Sequence, residues 1–340
     1  MHITLVDDSI PFDGFSPGSR PLGGAEKAFA SLAGALARLG HQVHVFNRAR
    51  YPMVIEGAHW ETLDKSFPAQ TDFLIAFRKP SLLASVRLAG KRMLWTTATP
   101  RQLEPARAAL DSFRAGLIFV SRLQAEGWRV TEGGGAHVIP PGLRADFLAP
   151  GERAAVPEPV AVVTAHPAHG LDWLLDLWRD GIHPQVPAAR LRVVSSVLDK
   201  ARDGAELAEA LRPVLDKALA TPGVEILPPA NDAGMAGLYL GARSHLYPGH
   251  ADDMACWTLR ESQACGLPAV ARPLGAVREC LVDGGGGQVA PDDEAFVNLA
   301  VRQLTDDDLF WSMSNEARLS AGDYSWDDAA GRFVVLSGRE

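Results

Sequence analysis

The amino-acid sequence predicts an α/β fold of two doubly wound domains that face each other across a cleft. Short runs of β-forming residues alternate with helical patterns almost throughout the 340 residues. Several of these runs are apolar at every position, which is typical of strands buried on both faces in a parallel sheet flanked by helices. The chain is also longer than one hydrophobic core usually serves, so two domains are expected.

Twelve strands are predicted, six in each half of the chain. They are residues 2–6, 42–46, 72–76, 92–96, 117–120 and 137–140, followed by 160–164, 191–195, 224–227, 244–247, 269–271 and 287–290. Between the first two strands, Phe29, Leu32 and Leu36 have the i, i+3, i+7 spacing of a helix with one buried face. Gly40 suits a left-handed cap after that helix. The chain therefore begins as a β-α-β unit with a right-handed crossover.

A change in composition marks the domain boundary. Residues 144–163, RADFLAPGERAAVPEPVAVV, are rich in proline, glycine and charge, and they lead into a new strand. Such segments are typical of the links between domains. We place the boundary near residues 150–158, which gives an N-terminal domain of residues 1–152 and a C-terminal domain of residues 153–322.

Composition indicates a globular protein in a reducing compartment. Apolar residues make up 47% and charged residues 22% of the chain, as in ordinary soluble domains. The N-terminus has no basic segment of a signal peptide, and no apolar run approaches the ~20 residues of a membrane helix. The three cysteines, Cys256, Cys265 and Cys280, have neither CxxC spacing nor a histidine at ligand spacing. We expect them to be small buried side chains, with no metal site, in a cytoplasmic protein.

The net charge of −8 conceals an asymmetry between the two halves. Residues 1–150 contain 17 basic and 13 acidic residues, a balance of +4, and the remainder contains 16 basic and 28 acidic residues, a balance of −12. A positive half would attract an anionic partner or one presented at a membrane surface, and would hold the protein at the inner face of that membrane. Charges that are spread evenly and solvated are an equal alternative. No nucleic-acid partner is expected.

The segment PLGGAEKAF, residues 21–29, places Gly23 and Gly24 before the first long helix. A helix N-terminus offers free N–H groups and a positive dipole end, and glycines let a phosphate approach the backbone. The alternative is that the two glycines only permit a tight turn. The segment lacks the GxGxxG pattern of dinucleotide-binding proteins, which argues against a dehydrogenase.

A second candidate site lies in HADDMACWTLRESQACGLPAVA, residues 250–271. If Asp253 and Glu261 were on one helix, they would be about 12 Å apart along its axis, which is too far for two acids to act on one bond. We therefore predict a loop followed by a helix from about Trp257 to Cys265, ended by the glycine that follows. Thr258 in the first turn could hold a phosphate, with a polyol on either side. A capping aspartate and a solvated helical glutamate are an equally good interpretation.

Residues 248–290 resemble the donor-binding region of GT-B glycosyltransferases, specifically of glycosyltransferase family 4 (group 1). That family has a Glu-x7-Glu spacing, then Gly-x-Pro-Val-Val, a glycine before a glutamate, and Asp-Gly. The resemblance continues in the family's order through GGAEKAFASLAGALARLGHQVHVF, FVSRLQAEGW, HPAHGLDWLLDLW and YSWDDAAGRF. It implies a GT-B fold of two Rossmann-like domains, in which a terminal helix within residues 323–340 packs back toward the N-terminal domain.

The resemblance also implies roles for single residues. Glu261 corresponds to the glutamate that holds the ribose hydroxyls, and Asp253 to the catalytic acid that contacts the donor sugar. Trp257 and Thr258 correspond to the junction that contacts the diphosphate, and Gly24 to a glycine whose amide approaches the distal phosphate. The implied reaction is retaining transfer from a UDP- or GDP-linked sugar to an acceptor bound by the N-terminal domain, without a metal ion or a cofactor.

The sequence departs from the family at three places. Asp253 replaces a glutamate, Thr164 and His169 stand where the family has arginine and lysine, and the N-terminal segment LWTTATPRQL has no histidine where one is expected. Three arginines are candidates to supply the missing positive charge: Arg78, Arg260 and Arg272. Without such a replacement the chain would be a non-catalytic GT-B protein that binds a nucleotide sugar or supports a partner transferase.

Overall fold

The computed structural model of the protein describes residues 1–130, 135–281 and 283–338. Val282 and the last two residues of the predicted terminal segment lie outside these ranges. The chain divides into two compact units, unit 1 with Met1–Arg144 and Tyr324–Glu340, and unit 2 with Ala145–Asp323. Each unit contains one sheet, parallel throughout in unit 2 and almost throughout in unit 1, which confirms the predicted α/β class.

Unit 1 is built on an eight-stranded sheet in the order β3-β4-β2-β1-β5-β6-β7-β8. The strands are β1 (His2–Val6), β2 (Gln42–Asn47), β3 (Met53–Ile55), β4 (Ala58–Thr62), β5 (Gln70–Phe77), β6 (Leu88–Trp95), β7 (Gly116–Phe119) and β8 (Ala136–Val138). Ile3, Leu5 and Phe73 of the central strands are fully buried, because these strands have neighbours in the sheet and layers on both faces. All six strands predicted for this half are present, with ends that differ by up to four residues.

The sequence-based prediction missed the hairpin of β3 and β4, which is the antiparallel edge of the sheet. Its turn consists of Glu56 and Gly57, with φ angles of +50° and +84° between the paired residues Ile55 and Ala58. Positive φ at both positions is the mark of a type I′ turn. Glutamate is an unusual residue in that conformation, so the local sequence carries no clear turn signal.

The helices of unit 1 before its C-terminal segment are α1 (Ser16–Ser19), α2 (Gly24–Arg38), α3 (Pro100–Leu103), α4 (Arg107–Ser112) and α5 (Arg122–Ala125), with 3₁₀ turns at Pro80–Ala84 and Glu104–Ala106. The long helix α2 buries Phe29, Leu32 and Leu36, as their spacing predicts. Gly40 follows it with φ of +86° and donates its N–H to the Ala37 carbonyl at 2.9 Å. The predicted β-α-β beginning is therefore confirmed.

Unit 2 is built on a six-stranded sheet in the order β11-β10-β9-β12-β13-β14, with every neighbouring pair parallel. The strands are β9 (Val160–Val163), β10 (Arg190–Val194), β11 (Val224–Leu227), β12 (Ser244–Tyr247), β13 (Ala269–Ala271) and β14 (Gly287–Val289). The six strands predicted for this half are all present, and their ends agree to within one residue.

The helices of unit 2 are α6 (Ala145–Leu148), α7 (Leu171–Leu177), α8 (His183–Gln185), α9 (Ser196–Arg202), α10 (Arg212–Ala220), α11 (Asp232–Leu240), α12 (Trp257–Ala264), α13 (Val277–Cys280), α14 (Asp293–Thr305) and α15 (Asp307–Ala321). A π-helical turn, Trp178–Ile182, joins α7 to α8, and a 3₁₀ turn, Glu209–Leu211, precedes α10. The helix predicted from about Trp257 to Cys265 is α12, and Gly266 after it has φ of +68°.

The predicted domain boundary is several residues too late. Residues 145–152, which the composition places in the N-terminal domain, lie in unit 2. Phe147 in this segment is buried against the ring of Tyr239 at 6.3 Å, and its carbonyl faces the Cys265 thiol at 3.9 Å. Proline, glycine and charge mark where the chain leaves regular structure, but burial of Phe147 decides to which core the segment belongs.

The last helix, α16 (Trp326–Val335), belongs to unit 1. Phe333 on this helix packs edge-on against Trp95 of β6 at 5.2 Å, and Asp327 pairs with Arg38 of α2 at 2.6 Å. Within the described ranges, no helix has the length and apolar character that crossing a lipid bilayer requires.

Candidate functional site

The sheet of unit 2 has a point at which the chain reverses its direction across the sheet. From β9 the chain passes to β10 and β11 on one side, and it returns to β12 on the other side of β9. In open α/β sheets, ligands bind outside the carboxyl ends of the strands at such a switch point. The candidate site of unit 2 therefore comprises residues 164–170 after β9, residues 248–256 after β12, and the beginning of α12.

The loop after β9 depends on Gly170, which has φ of +88° immediately before α7. A Cβ atom at this position would lie 2.6 Å from Nη2 of Arg272 and 2.9 Å from Cβ of Pro248. Glycine is thus required both by the backbone conformation and by the space. The close approach brings Arg272, one of the predicted cations, to the edge of the site.

Three imidazole rings form a cluster at the mouth of this loop. The rings of His169 and His250 are stacked with centroids 4.0 Å apart, and that of His166 lies 5.3 Å from His169. Burial lowers the pKa of His169, His250 and His166 lower it further, and Asp253 and Asp252 oppose them. His169 is therefore mainly neutral at pH 7, so the free protein has no fixed positive charge at this position.

The loop after β12 holds Asp253 firmly. One carboxylate oxygen accepts a hydrogen bond from the Cys256 backbone N–H at 2.9 Å, and the other accepts one from the Tyr247 hydroxyl. The Asp253 carbonyl also accepts from the Ala276 N–H at 2.9 Å. Asp253 thus fixes the loop before α12, whereas α12 has no side-chain cap, so the alternative of a capping aspartate is wrong. Each oxygen of an ionised carboxylate can accept a further bond, so a sugar hydroxyl could still bind.

A chain of hydrogen bonds joins the beginning of α12 to the end of β9. The hydroxyls of Thr164 and Thr258 are 2.7 Å apart, and the Thr164 hydroxyl is 3.0 Å from Nε2 of His245. Nδ1 of His245 is in turn 2.7 Å from the Ser262 hydroxyl. The structure thereby brings together two residues that the sequence placed in the site, Thr164 and Thr258. Sequence reasoning missed His245, because it lies inside an apolar strand and has no motif around it.

Glu261 lies one turn further along α12 than Thr258, with only 8% of its surface exposed. Burial, followed by the charge of Glu261, raises the pKa of the Tyr239 hydroxyl. The alternative of a solvated helical glutamate is therefore wrong. Trp257, at the first position of α12, is half-buried.

The predicted cations of unit 2 are engaged in other contacts. The Arg272 guanidinium lies 4.0 Å above the Trp173 ring and donates to the Pro248 carbonyl. A hydrogen bond with Cys256, together with the nearby Arg260 guanidinium, lowers the pKa of the Cys280 thiol. Arg260 therefore faces a thiol, whereas Arg272 fixes the loop after β12.

The thiols of unit 2 match the predicted burial only in part. Cys256 and Cys265 are buried, whereas Cys280 is only partly buried, and all three are free thiols. Burial raises the pKa of Cys265 to about 12. Across the ranges that the structure describes, no group of three or more His, Cys, Asp and Glu side chains could hold a metal ion.

Unit 1 has its own switch point between β1 and β5. Asp7 follows β1, Arg78 follows β5, and Gly23 and Gly24 begin α2. The Arg78 guanidinium donates to Glu26 in the first turn of α2 at 2.7 Å and lies 3.5 Å from Asp7. Gly23 has φ of −63°, which any residue can adopt, but a Cβ atom at this position would clash with the Glu26 carboxylate. The role of these glycines toward a phosphate stays a prediction.

Comparison with known proteins gives the family context. Residues 159–307 match the model of the family Glycosyl transferases group 1, and the chain has no match among curated proteins. Its fold is similar to that of sucrose-phosphate synthase from Thermosynechococcus elongatus, with 16% identity over 98% of this chain and 97% of that one and a TM-score of 0.68. It is also similar to Anabaena HepE, solved with UDP and glucose, with 14% identity over 100% of both chains and a TM-score of 0.68.

A third similar structure is WaaG, a glycosyltransferase of lipopolysaccharide biosynthesis, with 15% identity over 98% of this chain and 99% of that one and a TM-score of 0.66. At such identities, structural similarity establishes the fold. The chain thus has the GT-B fold of these glycosyltransferases, and its residues 159–307, less than half of the chain, match the model of the family Glycosyl transferases group 1.

Proposed function

We propose that the protein transfers a sugar from a UDP- or GDP-linked donor to a hydroxyl group of an acceptor, with retention of configuration at the anomeric carbon. The observation that carries the proposal is the arrangement around α12. Asp253, Thr258 and Glu261 surround its first two turns, at the switch point of a parallel sheet and within the residues that match the family. HepE, which shares the fold, was solved with UDP and glucose.

Each part of the donor has a corresponding group in unit 2. The free N–H groups and positive dipole end of α12, with the Thr258 hydroxyl, suit the diphosphate. Glu261 accepts hydrogen bonds from ribose hydroxyls, and Asp253 accepts one from the donor sugar. In the transfer, the bond from the sugar C1 to the diphosphate breaks, a bond from C1 to the acceptor oxygen forms, and the proton of the acceptor hydroxyl leaves with the diphosphate. Stabilising the departing diphosphate with helix N–H groups requires neither a metal ion nor a cofactor.

A second candidate is a non-catalytic GT-B protein that binds a nucleotide sugar or supports a partner transferase. The engaged arginines favour it, because Arg78 pairs with Glu26 and Arg272 is bonded to a backbone carbonyl. His169 is mainly neutral as well. A transferase must stabilise a diphosphate that leaves with additional negative charge, whereas a binding protein need not.

The decisive experiment joins ligand binding to turnover. Thermal-shift measurements with UDP-, GDP- and ADP-sugars identify the donor, since binding stabilises the folded state by RT ln(1 + [L]/Kd). Release of nucleoside diphosphate, with and without EDTA, then distinguishes the two candidates, and proton NMR of the product gives its anomeric configuration. Binding without turnover in the presence of candidate acceptors would favour the non-catalytic protein, and an inverted product would contradict retention.

Two variants test the roles of the acids. Glu261→Ala should weaken the binding of the free nucleoside diphosphate by about 1.5–3 kcal/mol, the scale of a hydrogen bond to a charged group. Asp253→Asn should leave that affinity nearly unchanged and lower turnover. Equal losses of nucleotide affinity in the two variants would contradict this assignment.

We further propose an acceptor that is anionic or is presented at the inner face of a membrane. The support is the balance of +4 over residues 1–150 beside −12 for the rest. Salt screens such an attraction over a Debye length of about 10 Å at 0.1 M, so the acceptor KM should rise with ionic strength. A KM that does not change, together with no sedimentation with anionic vesicles, would show that the charges are only solvated.

A further inference from the structure

His245 is a buried titratable residue with no role in the function proposed so far. It lies in β12, where it pairs with Val162 and Ala269 of the neighbouring strands, and its side chain is fully buried. The ring is stacked with that of Tyr239 at 6.0 Å and lies at a right angle to that of Tyr247 at 5.3 Å. These contacts fix the plane of the imidazole ring.

Both ring nitrogens of His245 have hydroxyl partners. Nδ1 is 2.7 Å from the Ser262 hydroxyl, Nε2 is 3.0 Å from the Thr164 hydroxyl, and the latter is 2.7 Å from the Thr258 hydroxyl. Burial lowers the pKa of His245 to about 3, so the ring is neutral and carries one N–H. The nitrogen that holds this proton sets the direction of every hydrogen bond in the chain.

Two arrangements satisfy the distances between the imidazole ring and its hydroxyl partners and between the two threonine hydroxyls. With the proton on Nδ1, the ring donates to Ser262, Ser262 donates to the Leu259 carbonyl at 3.0 Å, and Nε2 accepts from Thr164. Thr164 must then accept from Thr258, because two hydroxyl oxygens 2.7 Å apart need a proton between them. The Thr258 hydroxyl therefore donates its proton to Thr164, and only its lone pairs remain to accept a hydrogen bond from a ligand.

With the proton on Nε2, the directions along the chain from Ser262 to Thr258 reverse, and Ser262 gives up its hydrogen bond to the Leu259 carbonyl. Ser262 donates to Nδ1, the ring donates to Thr164, and Thr164 donates to Thr258. The proton of the Thr258 hydroxyl is then available to a ligand at the beginning of α12. The oxygens of an ionised diphosphate only accept hydrogen bonds, so this second arrangement is the one that binds a phosphate.

We propose that His245 is a positioning residue for the nucleotide sugar. In the nucleotide-bound protein His245 carries its proton on Nε2. It donates to Thr164, which donates to Thr258, so that the Thr258 hydroxyl can donate a hydrogen bond to the diphosphate. The inference rests on the proposed function, which places the diphosphate at Thr258. It assigns a role to a side chain that does not touch the ligand, and it makes the phosphate contact depend on a proton two hydroxyls away.

The direct test is ¹⁵N NMR of the full-length protein labelled at histidine, recorded free and saturated with UDP or GDP. The ¹⁵N shifts of the two ring nitrogens report which one is protonated. The expected result is the Nε2–H form of His245 in the bound protein. A bound protein with the Nδ1–H form would overturn the proposal and leave the proposed function intact.

Variants test the coupling. Thr258→Val should weaken UDP binding by roughly 10-fold or more, the scale of one hydrogen bond to a charged group. Thr164→Val should have a smaller effect of the same kind, and it should have little further effect once Thr258 is valine. His245→Gln can keep an amide donor toward Thr164 and should retain affinity, whereas His245→Phe should lose it. Thr164→Val keeps the shape of a half-exposed side chain, so the test does not require the buried variants to fold.

Uridine is the control ligand, because it lacks the diphosphate. Its affinity should be the same in wild type, Thr164→Val and Thr258→Val. Additive effects of the two threonine variants on UDP binding, or equal losses for uridine and UDP, would overturn the relay. If neither UDP, GDP nor ADP binds to the wild type, the proposed function fails, and the relay fails with it.

Discussion

The substitution Gly170→Ala should strain the loop after β9 in two separable ways. The first is the backbone, since φ of +88° costs an alanine about 1–2 kcal/mol. The second is space, because the new Cβ would lie 2.6 Å from Nη2 of Arg272 and 2.9 Å from Cβ of Pro248. Arg272 cannot move away cheaply, since it stacks on Trp173 and donates to the Pro248 carbonyl.

Gly204→Ala is a matched control for the backbone contribution. Gly204 has φ of +95°, and no atom lies within 4 Å of the position that its Cβ would occupy. The substitution Gly204→Ala should therefore lower the free energy of unfolding by only about 1–2 kcal/mol. Forcing atoms into a packed site adds typically 1–3 kcal/mol, so Gly170→Ala should destabilise the protein by about 2–5 kcal/mol.

Calorimetric unfolding and nucleotide titration together check this prediction. In a unit the size of Ala145–Asp323, each kcal/mol lowers Tm by about 2–4 °C, so the two variants should differ by several degrees. Gly170→Ala should also weaken nucleotide binding, because the displaced loop carries His169, and Gly204→Ala should not. Equal Tm values for the two variants would refute the steric argument.

Three further predictions concern charge and thiol chemistry in unit 2. Because a bound diphosphate favours the charged imidazole, donor affinity should be fullest below the lowered pKa of free His169 and should fall as pH rises through the bound-state pKa. His169→Arg should remove this dependence, and parallel calorimetric curves for wild type and His169→Ala would contradict it. Cys280, with its lowered pKa and partial exposure, should be alkylated by iodoacetamide before the buried Cys265, whose pKa is about 12, as peptide mass spectrometry would show. Arg153→Met removes the donor to the last carbonyls of α11 at 2.9 and 3.0 Å and should cost about 3 kcal/mol in urea unfolding. The exposed Arg190→Met should cost less than about 0.5 kcal/mol, so equal losses would show that these carbonyls find water instead.

The loop and the helix that form the candidate site could be predicted because the residues that define them are close together in the sequence. Gly266 and the proline two positions after it end α12 wherever that helix packs. Asp253, Thr258 and Glu261 share a short segment, so their association with the beginning of one helix needs no knowledge of the fold. Short runs of β-forming residues likewise predict twelve of the strands, whereas the short hairpin around Glu56 has no such pattern.

The contacts that the charged side chains make could not be predicted from the sequence. Arg78 is 52 positions from Glu26 in the chain, and the parallel pairing of β1 and β5 brings its strand beside the loop that leads into α2. Nothing near Arg272 in the sequence indicates that Trp173 lies under its guanidinium. Such contacts decide whether a positive charge is available to a ligand. The positions of basic residues in the sequence do not show which of them make such contacts.

The α/β class, the order of strands and helices, and the segments that meet at the switch point of unit 2 follow from local sequence patterns. The pairing of polar groups depends on the tertiary fold, in which Glu261 is buried, imidazoles cluster around His169, and Thr164 contacts Thr258 and His245 across 94 and 81 positions. This difference follows from the range of the forces involved. Hydrophobic periodicity and helix caps act within a few residues, whereas a buried polar side chain must find its partner wherever packing places one.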